Sequence, residues 1–102
     1  MPTIDLTLVL ACYNEGLLLE NSIKQIIEIL DATNYTYEII FVDDFSQDKT
    51  KFTINNIINK YNNKNIKKIF HEINLGRGAS VSDGIKAASG CVVGYIDVDL
   101  EV

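Results

Sequence analysis

Short apolar runs alternate with segments of helical period along this chain. Leu6 to Ala11 is almost continuously apolar and too short for a helix, which predicts a strand covered on both faces. Leu19, Ile23, Ile26, Ile27 and Leu30 then recur at helical spacing while Glu20, Lys24 and Glu28 fall elsewhere, predicting an amphipathic helix of about three turns. Asn34 closes it with a turn. Tyr37 to Val42 repeats the buried-strand signature and stops at Asp43-Asp44. Ser46 or Asp48 is placed to cap a second helix, whose inward stripe is Ile54, Ile57, Ile58 and Tyr61. After the turn Asn62-Asn63-Lys64-Asn65, Ile66 to Phe70 predicts a third strand, and Asn74-Leu75-Gly76-Arg77-Gly78 a loop of permissive backbone. Val81, Ile85 and Ala88 mark a small third helix ended by Gly90, and Cys91 to Ile96 a fourth strand running into Asp97-Val98-Asp99.

The order is therefore βαβαβαβ. Strands joined by helical crossovers lie parallel and connect right-handedly, so the predicted fold is α/β: a Rossmann-like three-layer sandwich with a mainly parallel sheet. With 102 residues, one core and a single domain over residues 1–102 are expected. A chain that is 47% hydrophobic and 23% charged is neither disordered nor fibrous. Its formal net charge of −5 argues against a nucleic-acid partner, and an anionic ligand would need a bridging cation. Cys12 and Cys91 form neither a disulfide framework nor a close metal pair, and the topology keeps them apart. That fits a reducing compartment. The N-terminal stretch has no signal-peptide pattern and no apolar run reaches membrane-spanning length, so a cytoplasmic location is expected.

In an open parallel sheet, ligands bind beyond the carboxyl ends of the strands. There this sequence places Tyr13-Asn14-Glu15, Asp43-Asp44, His71-Glu72 and Asp97-Val98-Asp99. Two like charges about 4 Å apart repel by about 4 kcal/mol at an effective dielectric of roughly 20, enough to raise a pKa or recruit a metal. Hard oxygen ligands on an open site favour Mg²⁺ or Mn²⁺. In extended chain, Asp97 and Asp99 point to one face, although acidic residues also end strands for no chemical reason. One of Asp43 and Asp44 is expected to cap the next helix through an Asx turn while the other faces ligand. Glu15 suits either a helix start or recognition of a base or ribose. Tyr13 either packs or stacks on a base. Gly76-Arg77-Gly78 lacks the spacing of a dinucleotide fingerprint and follows the wrong strand, leaving either a phosphate-side arginine or a solvated one. The lone His71 reads as structural.

Together these segments resemble the amino-terminal, donor-binding half of family 2 glycosyltransferases, which have the GT-A fold. Ala11-Cys12-Tyr13-Asn14-Glu15 resembles the family's P-x-Y-N-E, and Tyr37 through Asp48 resembles Y-E-I-I-x-V-D-D-G-S-x-D, with Phe45 at the usual glycine. Asn74 to Ala79, with Gly84, Ala87, Ala88 and Gly90, resembles the segment before the metal triplet, and Asp97-Val98-Asp99-Leu100-Glu101 resembles D-A-D-L-x. The resemblance implies a UDP- or GDP-linked sugar donor, with nucleotide-sugar contacts from Ala11, Tyr13, Glu15, Asp43, Asp44, Arg77 and Asp97. It implies Mg²⁺ or Mn²⁺ on Asp99 and Asp97, and transfer with inversion. The ending is nearest to polyprenol-phosphate sugar transferases, so the acceptor is a lipid phosphate or a glycan and the full-length protein works at the cytoplasmic membrane face. In the family the acceptor site and the base follow the triplet, so the chain is expected to be a donor-binding fragment with no assignable catalytic base. An uncovered sheet edge would then invite homo-oligomers. Two other readings stay open: a noncatalytic α/β interaction module, and an aspartate-based phosphotransfer domain, whose acidic pair would follow the first strand instead.

Overall fold

The computed structural model describes residues 3–97. Four strands and three helices alternate: β1 (Ile4–Cys12), α1 (Gly16–Asp31), β2 (Tyr37–Asp43), α2 (Thr50–Lys60), β3 (Ile66–Phe70), α3 (Arg77–Ala87) and β4 (Gly90–Asp97). All pairings are parallel and the strand order is β3-β2-β1-β4, so the Rossmann-like sheet expected from the sequence is present. The chain steps outward from β1 to β3, then returns across the sheet through α3 to place β4 on the other side of β1. Right-handed crossovers therefore put α1 and α2 on one face and α3 on the other. The reversal in strand order falls between β1 and β4.

The α1–α2 face carries the larger core. Leu10, Ile39 and Phe41 from the sheet meet Leu19, Ile23, Ile27, Ile54 and Ile57 from the helices, all buried. Each fully buried side chain of this kind contributes about 1.5–3 kcal/mol. Ile58 and Tyr61 pack at the margin, as their spacing predicts. The α3 face is thinner, with Val9, Ile40 and Val42 as its fully buried apolar groups.

On that thin face the sequence expectation needs correction. Val81 and Ile85 lie in α3 as expected, but its buried residues are Ser80 and Gly84, with Val81 half-buried and Ile85 exposed. A Cβ on Gly84 would stand 2.3 Å from Val9 Cγ1, so the helix lies too close to the sheet for anything larger. Arg77 and Gly78 belong to the first turn of α3 and not to the preceding loop. Gly90 does not end the helix either: it opens β4, paired with Ile4. Among the described residues, strand β4 lies at a sheet edge, with Val92 and Tyr95 exposed. Cys12 and Cys91 are both free thiols, at opposite ends of the sheet. Among the described residues, no helix is long and apolar enough to cross a membrane.

The loops after β1 and β2 are joined by hydrogen bonds. The Asn14 N–H donates to Ser46 Oγ at 2.9 Å, Gln47 N–H to Asn14 Oδ1 at 2.7 Å, and Glu15 N–H to Thr50 Oγ1 at 3.0 Å. Asp48 serves two helices at once: Oδ2 accepts from Gly16 N–H at 3.3 Å, at the start of α1, and Oδ1 from Thr50 N–H at 2.9 Å, at the start of α2. Its Oδ1 also accepts the Thr50 hydroxyl. Asp48 thus stands one residue before the Lys49 N-cap position and still takes the first amide of both helices, while Ser46 is drawn away into the loop junction. Losing a helix cap costs about 1 kcal/mol, so Asp48→Ala is expected to lower unfolding stability by about 2 kcal/mol. A urea midpoint matching that of the unaltered chain would rule out the double cap.

Candidate functional site

The carboxyl ends of β1 and β4, at the reversal in strand order, open into a cavity of about 220 Å³. Strand β1 and its loop supply Ala11, Cys12, Tyr13 and Glu15; Asp44 follows β2 and Asp97 ends β4. The wall opposite is Asn74, Gly76, Arg77 and Ser80, from the loop before α3 and its first turn. Of the residues singled out in the sequence, Ala11, Tyr13, Glu15, Asp44, Arg77 and Asp97 share this cavity. Asp43 does not line it, and Asp99 lies outside the described residues.

Strand alternation separates the two adjacent aspartates. Asp43 continues the Ile39–Phe41 side of β2, is fully buried, and accepts from Ser46 N–H at 3.0 Å and from the Ser46 hydroxyl. It holds the turn after the strand. Asp44 points the other way and meets the loop before α3. Its Oδ1 accepts from Leu75 N–H at 2.8 Å and from His71 Nδ1 at 2.9 Å, and its Oδ2 accepts from Gly76 N–H at 2.8 Å. Burial pushes this carboxyl up, but the His71 contact and the two amides outweigh it and hold Asp44 below the ordinary carboxylate range.

Arg77 sits at the entrance. Its Nε donates to Asp97 Oδ1 at 2.8 Å, and its guanidinium lies 5.6 Å from the centre of the Tyr95 ring. Glu15 Oε1 accepts from Tyr13 N–H at 3.2 Å, closing the tip of the β1 loop. The Cys12 thiol is pushed well up, first by burial and then by Glu15 and Asp43, which leaves it an unreactive wall group. Sequence reasoning did not single out Cys12, Asn74 and Ser80 as lining residues, although Cys12 and Asn74 fall within the resembled segments.

Two loop residues adopt the left-handed region without being glycine, Asn14 at φ 51° and Phe45 at φ 62°. Asparagine tolerates that region, whereas a bulky aromatic is strained there by roughly 1–2 kcal/mol. The glycine that Phe45 replaces in the resembled motif would avoid this strain. Lys51 lies 5.3 Å from the Phe45 ring centre and offsets part of the cost.

The residues near the cavity also bear on a cation. Among the described residues, no group of three or more His, Cys, Asp or Glu side chains is arranged to hold a metal. Asp97 is the β4 carboxylate at the cavity, and a single hard carboxylate suits Mg²⁺ or Mn²⁺ that keeps coordination places for phosphate oxygens.

A family model, glycosyl transferase family 2, matches residues 7–102. The chain belongs to that family. It is 39% identical over 100 residues to an uncharacterized glycosyltransferase of Synechocystis sp., a match covering 97% of this chain and 30% of the relative. A dolichyl-phosphate beta-glucosyltransferase of Dictyostelium discoideum is 30% identical over 101 residues, covering 94% of this chain and 31% of that one. The chain therefore spans about 30% of the length of these two relatives. Among solved structures, the mannosyltransferase PcManGT from Pyrobaculum calidifontis, in complex with GDP-Man and Mn²⁺, superimposes with a TM-score of 0.84 at 20% identity. That match covers 97% of this chain and 28% of the other, and it establishes the GT-A fold. S. aureus TarS 1-349 in complex with UDP-GlcNAc gives 0.70 at 28% identity, covering 94% and 27%.

Proposed function

We propose that this family 2 domain binds the nucleotide-diphosphate sugar of a glycosyltransferase, in the cavity between the ends of β1 and β4. The observation that carries the reading is the convergence of Glu15, Asp44, Asp97 and Arg77 from four separate segments on one cavity at the reversal in strand order. Tyr13 and Glu15 receive the base and ribose, with Asp43 shaping the turn beneath them. Asp97, with Asp99 two residues on, holds Mg²⁺ or Mn²⁺, which neutralises charge on the leaving diphosphate. Arg77 turns between Asp97 and the phosphates, since its guanidinium is half-exposed and suited to either anion. Transfer proceeds with inversion, to a lipid phosphate or glycan acceptor. The dolichyl-phosphate relative favours the lipid.

Calorimetry with UDP-glucose, UDP-GlcNAc and GDP-mannose, in Mn²⁺ and in EDTA, tests this. Metal-dependent binding of one base class, lost in Asp97→Asn, is expected. No metal-dependent heat with any of the three donors would overturn it.

A further inference from the structure

His71 is the chain's single histidine, buried just beyond β3, and it stands between two carboxylates. Nδ1 is 2.9 Å from Asp44 Oδ1 and Nε2 is 2.7 Å from Asp83 Oδ2. A neutral imidazole has one N–H, so one of these contacts would set a lone pair against a carboxylate. Only the imidazolium donates to both. The two carboxylates belong to different parts of the fold: Asp44 follows the last residue of β2 and holds Leu75 and Gly76, while Asp83 lies within α3. Among the described residues, Asp44 and Asp83 are the charged groups that act on the ring, and the His71 backbone N–H donates to the Asp43 carbonyl at 2.9 Å.

We propose that His71 is a positioning residue for the cavity, a protonated clamp that ties Asp44 to α3 and so fixes Gly76 and Arg77 in the cavity wall. Gly76 precedes the first turn of α3 at φ 94°, and Arg77 is the first helical residue, so the pose of this end sets where the guanidinium stands. On loss of the proton one carboxylate must withdraw. Asp83 is the freer of the two, with 38% of its side chain exposed against 7% for Asp44, so the α3 side opens first. Asp44, then Asp83, raise the His71 pKa against the opposing effect of burial, which keeps the clamp closed above the ordinary histidine range.

The sign for stability follows. A raised folded pKa contributes stability that is fully present below the unfolded value of about 6.5 and is lost as pH rises through the folded value. Unfolding midpoints are therefore expected to fall between pH 6 and 8, below the range where thiols ionise, and to lose that slope in His71→Gln.

The pose itself is read without any nucleotide, by NMR titration of this chain. The Gly76 amide and Arg77 Nε signals are expected to move with the His71 midpoint, and Asp83→Asn, at the exposed end, to lower that midpoint while leaving the chain folded. Signals of Gly76 and Arg77 that stay fixed through the histidine titration would overturn the clamp. The consequence for ligand rests on the donor-binding reading: affinity for the preferred donor is expected to fall about fivefold or more across the same midpoint. A donor affinity that is flat across it would overturn the positioning role. If no donor binds at any pH, the donor-binding reading fails, and the Gly76 and Arg77 shifts still decide the clamp.

Discussion

Alanine at Gly90 is expected to destabilise the chain more than alanine at any other glycine. A Cβ there would stand 2.5 Å from Thr7 N, 2.7 Å from Thr7 Oγ1 and 2.8 Å from the Leu6 carbonyl carbon. These are main-chain and near-main-chain atoms of β1, the strand that β2 and β4 both flank, so no side-chain rotation relieves the clash. Overpacking costs about 1–3 kcal/mol and more where backbone must shift, so a loss of about 3 kcal/mol is expected. Gly84→Ala meets Val9 at 2.3, 3.0 and 3.2 Å but gains helix propensity of about 1 kcal/mol, so its net loss is smaller. Gly78, also in α3, has nothing within 4 Å of an added Cβ, and Gly78→Ala should stabilise by about 0.5–1 kcal/mol. Urea unfolding of the three variants orders them directly. A Gly90→Ala midpoint at or above that of Gly84→Ala would sink the ranking.

Truncating Asp44 should have a comparable effect for a different reason. The carboxylate is buried and is shared by two backbone amides and the His71 ring. Alanine leaves all three donors without that partner inside the fold, and breaking a buried charge pair costs about 3–5 kcal/mol. For a domain whose whole stability is about 5–15 kcal/mol, Asp44→Ala should unfold within easy reach of body temperature. Asp44→Asn keeps an acceptor oxygen but removes the charge, so it should retain the fold and lower the His71 titration midpoint. An Asp44→Ala variant within about 1 kcal/mol of the unaltered chain would show that the loop before α3 holds itself.

The strands and the larger core were legible because their signal is local. Uninterrupted runs such as Ile39 to Val42 allow no other reading, and the Ile54–Ile57 spacing fixed the inward side of α2. The inward side of α3 was not legible, because its buried residues are not the apolar ones that mark the helix. There the closeness of helix and sheet selects Ser80 and Gly84, small residues without an apolar stripe, and turns Ile85 outward. The carboxylate-rich strand ends were legible as a group, and the alternation of β2 could have separated Asp43 from Asp44. The His71–Asp83 contact was not, since a residue pair 12 positions apart across a loop leaves no periodic trace.

The loops after β1 and β2 hold each other's hydrogen bonds, and one aspartate starts both following helices. Each loop thus takes part of its shape from the other. A graft that replaces Tyr13 to Gly16 alone, or Phe45 to Asp48 alone, would strand the partner's donors. Redesign of ligand preference in this chain has to transplant the two as one unit.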